Sequence, residues 1–138
     1  METLRETILA LARRYDFEEG HSLQDERLAL RLFDETARLG LHDLHSAPGQ
    51  ISPRDILSYA ALLHDIGYIE GYEAHHKTAF RLIVGEPIGG LAESERLLIA
   101  HVARYHRGAT PDGASQPAFA ALSAAEQHLV ARLGALLR

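Results

Sequence analysis

Apolar residues recur at three- and four-residue intervals along almost the whole chain, and no β-branched run alternates with polar residues for more than a few steps, so the pattern predicts an all-α protein. A first helix is expected from about Thr3 to Tyr15, with Leu4, Ile8, Leu11 and Ala12 on one face. The polar stretch from Asp16 to Gly20 reads as a break. A second helix is expected from about Ser22 to Leu41, where Leu30, Phe33, Ala37 and Leu41 form one stripe and Leu28 and Leu32 widen it, with Gly40 marking fraying at its end. After a loop with Pro48 and Gly49, Ser52-Pro53-Arg54-Asp55 is a helix start: a hydroxyl for the first-turn amides, proline at the first helical position, and an acid three residues on. The segment that follows, Ile56 to Leu63, is apolar on nearly every side, which predicts a central helix surrounded by others, with Gly67 as its stop.

Helices four and five are expected near His75 to Val84 and Glu93 to Tyr105, separated by Gly85, Pro87, Gly89 and Gly90, and Pro111-Asp112-Gly113 marks the next loop. The last helix opens on a capping box, Ser123 with Glu126, and carries Leu129, Val130, Leu133, Leu136 and Leu137 on one stripe. That makes a bundle of about six helices. The terminal stripe runs unfinished to Arg138, which implies a docked C-terminus, a chain cut relative to a longer parent, or a surface on which a homodimer forms.

The 138 residues suit one domain, 1–138, with a core of its own. Hydrophobic residues at 46% and charged residues at 24% exclude wholesale disorder. No apolar run approaches the roughly 18 residues of a spanning helix, and the first residues lack a secretory pattern, so no membrane role and a cytoplasmic location are expected. Without cysteine, any metal must be held by His, Asp or Glu. The net charge of −5 argues against duplex nucleic acid as a partner. Thirteen of the fourteen basic residues are arginine, a side chain suited to bidentate phosphate contacts, and Lys77 is the single lysine.

The most informative pair is His64-Asp65, at the end of the most enclosed helix, because a buried imidazole and carboxylate must be hydrogen-bonded, ion-paired or metal-bound. His21 opens helix two, His75 and His76 open helix four, and His101 and His106 end helix five, so folding these helix ends toward one pole would gather N and O donors around one or two cations. His101 and His106 project about 140° apart on an ideal helix and should not both reach one ion. His42, His45 and His128 fit no cluster and are expected in solvent. A structural reading stands beside this one, in which the histidines only satisfy buried polar groups.

The ordered set His21, Leu63-His64-Asp65-Ile66-Gly67 and Tyr105-His106-Arg107 resembles the HD-domain superfamily of metal-dependent phosphohydrolases. With Glu18-Glu19-Gly20-His21, His75-His76-Lys77, Ala103-Arg104-Tyr105-His106-Arg107 and Arg132-Leu133-Gly134-Ala135-Leu136-Leu137-Arg138, it more specifically resembles the helical C-terminal domain of the exopolyphosphatase and guanosine pentaphosphate phosphatase family, from about Ala12 onward. The resemblance implies an HD-type helical bundle. It implies His21, His64, Asp65 and His106 as ligands of a divalent ion (Mn, Fe, Ni, Mg or Zn), with His64 and Asp65 at the reaction centre and water activated for attack on a phosphate ester or anhydride. Lys77, Arg104 and Arg107 would grip a phosphorylated small molecule or polyphosphate.

Two positions depart from the pattern. Thr78 stands where relatives commonly carry a further His, which makes His76 the candidate extra ligand, and the sequence stops at Leu136-Leu137-Arg138, before the superfamily's final Asp, so that carboxylate is missing unless the natural chain continues or Asp112 or a nearby Glu substitutes. In the two-lobed members of the family the phosphatase chemistry belongs to separate N-terminal domains, and this chain resembles the accessory part alone. Two functional readings follow: a metal-dependent phosphohydrolase, and a non-catalytic phosphate- or polyphosphate-binding module with an incomplete metal site.

Overall fold

The computed structural model describes residues 3–45, 50–67, 75–85, 87–106 and 116–137, the side chains of His75 and His76 excepted. Among them the chain is all-helical, in the order α1 (Leu4–Arg14), α2 (Glu19–Arg38), α3 (Pro53–Leu63), α4 (His75–Gly85), α5 (Glu93–Arg104), α6 (Pro117–Ala120) and α7 (Ala124–Leu137). The seventh element relative to the expected six is α6, a single turn begun by Pro117 whose Phe119 plugs the core. One turn carries too few residues to show a periodicity.

Helix α3 is the axis of the bundle. Ser52 accepts the Asp55 amide at 3.0 Å and Pro53 follows at the first helical position, as the sequence predicts. Every residue from Ile56 to Leu63 is buried, and the helix packs against α1, α2, α5 and α7. Arg13 and Glu19 form a bidentate pair at 2.7 and 2.9 Å that bridges the link between α1 and α2. Helix α2 starts at Glu19, earlier than its pattern suggests, and Gly20 lies inside it with Glu18 and Glu19 favoured near the positive helix end.

Helix α2 ends where Gly40 adopts φ +77°. The Gly40 amide donates to Ala37 and the Leu41 amide to Thr36, a Schellman closure that makes Gly40 a stop rather than a frayed end. The core face of α2 also differs from the expected stripe. Ser22, Glu26, Ala29 and Phe33 are buried, whereas Leu28, Leu32, Ala37 and Leu41 are exposed. The buried Glu26 takes a bidentate pair from Arg5 at 2.7 and 3.2 Å and the Ser58 hydroxyl at 2.5 Å, which satisfies its charge and ties α1, α2 and α3 together.

The reciprocal Ser123 and Glu126 capping bonds form at 2.9 and 3.1 Å. On α7, Val130 and Leu133 are fully buried, and Leu129, Leu136 and Leu137 pack against the core. The terminal helix is therefore docked, and its stripe leaves little surface for self-association. Gly134 packs against Tyr105, where a Cβ would just reach the Tyr105 Cβ at a contact distance of 3.4 Å and a larger side chain would have no room beyond it.

Candidate metal centre

Helix α3 closes at Leu63 with His64 as its C-cap, still in the αR conformation, which places His64 and Asp65 at its C-terminal end while still buried, at 3% and 7% exposure. The first two turns of α2 meet them there. The His21 Nε2 lies 3.1 Å from an Asp25 carboxylate oxygen and 3.4 Å from one of Asp65, and the His64 Nε2 lies 3.2 Å from each of the same two atoms. Two imidazole nitrogens and two carboxylate oxygens thus converge, all within 4.8 Å of one another.

This donor set fits a divalent cation. Ligands about 2.1 Å from an ion are about 3.0 Å apart at right angles and about 3.4 Å apart at tetrahedral angles, the range of the four nitrogen–oxygen separations here. The Nδ1 of His64 faces the Ala61 carbonyl, which can only accept, so Nδ1 carries a proton and Nε2 is the ring atom turned into the cluster, where a metal would take its lone pair. Two carboxylates set side by side, one of them buried, are an arrangement that a dication would relieve. His21 is exposed and Asp25 half-buried, so one side of the group opens to solvent.

The structure brings together three of the expected ligands, His21, His64 and Asp65. His106 stands beside them, its ring edge-on to His64 with centroids 4.6 Å apart and its Nδ1 on the Ala103 carbonyl, but outside the four-atom group. The His76 side chain, Arg107 and Asp112 lie outside the described residues. Lys77 is exposed on α4, and the half-buried Thr78 follows it. Arg104 is half-buried, with its guanidinium over the rings of Phe80 and Tyr105 at 5.5 and 5.4 Å.

Sequence reasoning missed Asp25. Its signal was the four-residue spacing from His21, which sets both side chains on one face of α2. The second carboxylate of the group comes from this helix and not from the far end of the chain, where the resemblance places one.

Two other histidines have structural roles. His101 is fully buried on α5 among Phe80, Tyr105 and Phe119, apart from the candidate ligand group, and neither ring nitrogen has a hydrogen-bond partner among the described residues. Desolvation, helped by Arg104, pushes its pKa down to about 4, against a weaker opposing pull from Glu126. His42, expected in solvent, is half-buried against Phe33: its Nε2 donates to the Phe33 carbonyl at 2.9 Å and its Nδ1 accepts the Leu44 amide at 3.2 Å, so it fastens the chain after α2. His45 and His128 are exposed, as expected.

No described helix is long and apolar enough to cross a membrane. The family model described as Ppx/GppA phosphatase, domain III, matches residues 4–138. No curated protein matches this sequence.

Proposed function

Because the chain belongs to the Ppx/GppA phosphatase domain III family, we propose that it is a metal-dependent phosphohydrolase of the HD type, acting on a nucleotide, polyphosphate or other phosphorylated small molecule. The convergence of the His21, Asp25, His64 and Asp65 donors carries this reading. A divalent cation held by these four residues would supply Lewis-acid activation of water and neutralise phosphate charge. The protein's part is orientation. The Ala61 carbonyl holds His64 in the required tautomer, and the buried end of α3 fixes Asp65 against it. His106, in ring contact with His64, would border the reacting groups, and Lys77, Arg104 and Arg107 would hold the anionic part of the substrate.

One observation favours the second reading, a module that binds such ligands without turnover. Two carboxylates cancel the charge of a dication, which leaves phosphate attraction to the cationic side chains, and Arg104 is already engaged with aromatic rings. Metal analysis of the purified protein, followed by phosphate-release assays on nucleotides, guanosine polyphosphates and polyphosphate, separates the two. Stoichiometric metal lost in His64→Ala, with turnover lost in Asp65→Ala, supports hydrolysis. Metal with ligand binding and no turnover supports the module. A wild-type protein that takes up no divalent ion sinks both metal-based readings.

A further inference from the structure

Helix α2 leaves an apolar stripe uncovered. Leu28, Leu32 and Leu39 are 49%, 49% and 63% exposed, and at 3.6 residues per turn they fall within about 40° of one another. Arg31 and Glu35 lie along one flank of that stripe. Arg31 makes no ion pair among the described residues, and Glu35 binds Arg38 through Oε2 alone, leaving Oε1 for another donor. Three large apolar side chains in a row, edged by one free cation and one half-used carboxylate, are unusual on a surface otherwise rich in charge.

We propose that this face is the contact between two copies of the chain, paired antiparallel along α2 about a two-fold axis. The pattern is self-complementary in that arrangement. A two-fold axis perpendicular to the helices turns each flank toward the same flank of its copy. With Leu32 and its copy straddling the axis, Leu28 meets the second copy's Leu39, and Arg31 meets the second copy's Glu35. Each such contact forms twice. A parallel two-fold pair instead turns this flank against the opposite one, that of Asp25, Leu32 and Thr36, and gives Arg31 no carboxylate at its own height. A single helix pair covers less than the roughly 800 Å² per partner of a standard interface, so the association is weak and concentration-dependent.

Sedimentation velocity on the full 138-residue chain across a concentration series tests this. The expected result is a shift from the 15.2 kDa monomer toward twice that mass as concentration rises. Leu28→Glu should raise the dissociation constant by about tenfold or more, since symmetry counts each change twice. Arg31→Glu should weaken association, and Arg31→Glu combined with Glu35→Arg should restore it. Circular dichroism of each variant shows whether the fold survives, and as these side chains are exposed it should. A wild-type chain that stays monomeric at all concentrations overturns the proposal. So does dimerisation indifferent to Leu28→Glu, and failure of the charge swap to restore association overturns the antiparallel register.

Discussion

Replacing His101 with leucine should remove an acid-sensitive weakness from the core. In the folded protein this imidazole lies among Phe80, Tyr105 and Phe119, and its pKa falls from 6.5 to about 4. In the unfolded chain it titrates near its ordinary value. Between those two values the unfolded state binds the extra proton, so the native state loses stability as pH drops through 6.5, and the loss stops below about 4, where both states are protonated. At about 1.36 kcal/mol per unit, the full effect is about 3 kcal/mol, of which about 2 kcal/mol is lost by pH 4.5. Leucine has a similar volume and cannot titrate. Urea unfolding of the metal-free wild type and of His101→Leu at pH 7, 6, 5 and 4.5 should give nearly equal stabilities at neutral pH, with the variant ahead by about 2 kcal/mol at the acid end. Carboxylate protonation is common to both proteins and cancels in the difference. Parallel pH profiles would refute the reasoning, and so would a variant destabilised by more than about 1 kcal/mol at pH 7, which would mean that the ring has a hydrogen-bond partner after all.

Asp25→Asn keeps the shape of the metal-ligand group while removing one anionic donor, and should weaken divalent-ion affinity by about tenfold or more in a calorimetric titration, with little change in the apo melting temperature. Glu26→Ala strips Arg5 and Ser58 of their shared acceptor and should cost about 2–3 kcal/mol in chemical denaturation. Ser52→Ala removes the cap of α3 and should cost about 1 kcal/mol by the same measurement. Gly134→Leu forces a branched side chain against the Tyr105 backbone and should destabilise by about 1–3 kcal/mol, visible as a lower thermal midpoint.

Helix ends with local chemistry were legible in the sequence: Ser52-Pro53 and Ser123 with Glu126 are readable because each cap is satisfied within one turn. The continuous burial of Ile56 to Leu63 announced α3 for the same reason, since no solvent-facing side was left to it. The face of α2 was not legible. Glu26 occupies a core position because Arg5 and Ser58 satisfy it from other helices, a compensation invisible to a count of apolar residues, and the leucines then fall outside. In the candidate ligand group, His64 and Asp65 stood out by their position at the end of an apolar helix. Asp25 did not, since an aspartate four residues after a histidine on a polar helix looks like any solvated pair until α3 is seen to deliver His64 to the same point.

The four donors are shared evenly, two from the opening turns of α2 and two from the residues just beyond α3. An ion seated among them would be a staple between two segments that are far apart along the chain. Its binding energy would add to the resistance of α2 against peeling away, by an amount set by how far the free ion exceeds its dissociation constant. Scarcity of the metal would then be felt first as faster amide exchange along the start of α2, with the interior around α3 holding its shape.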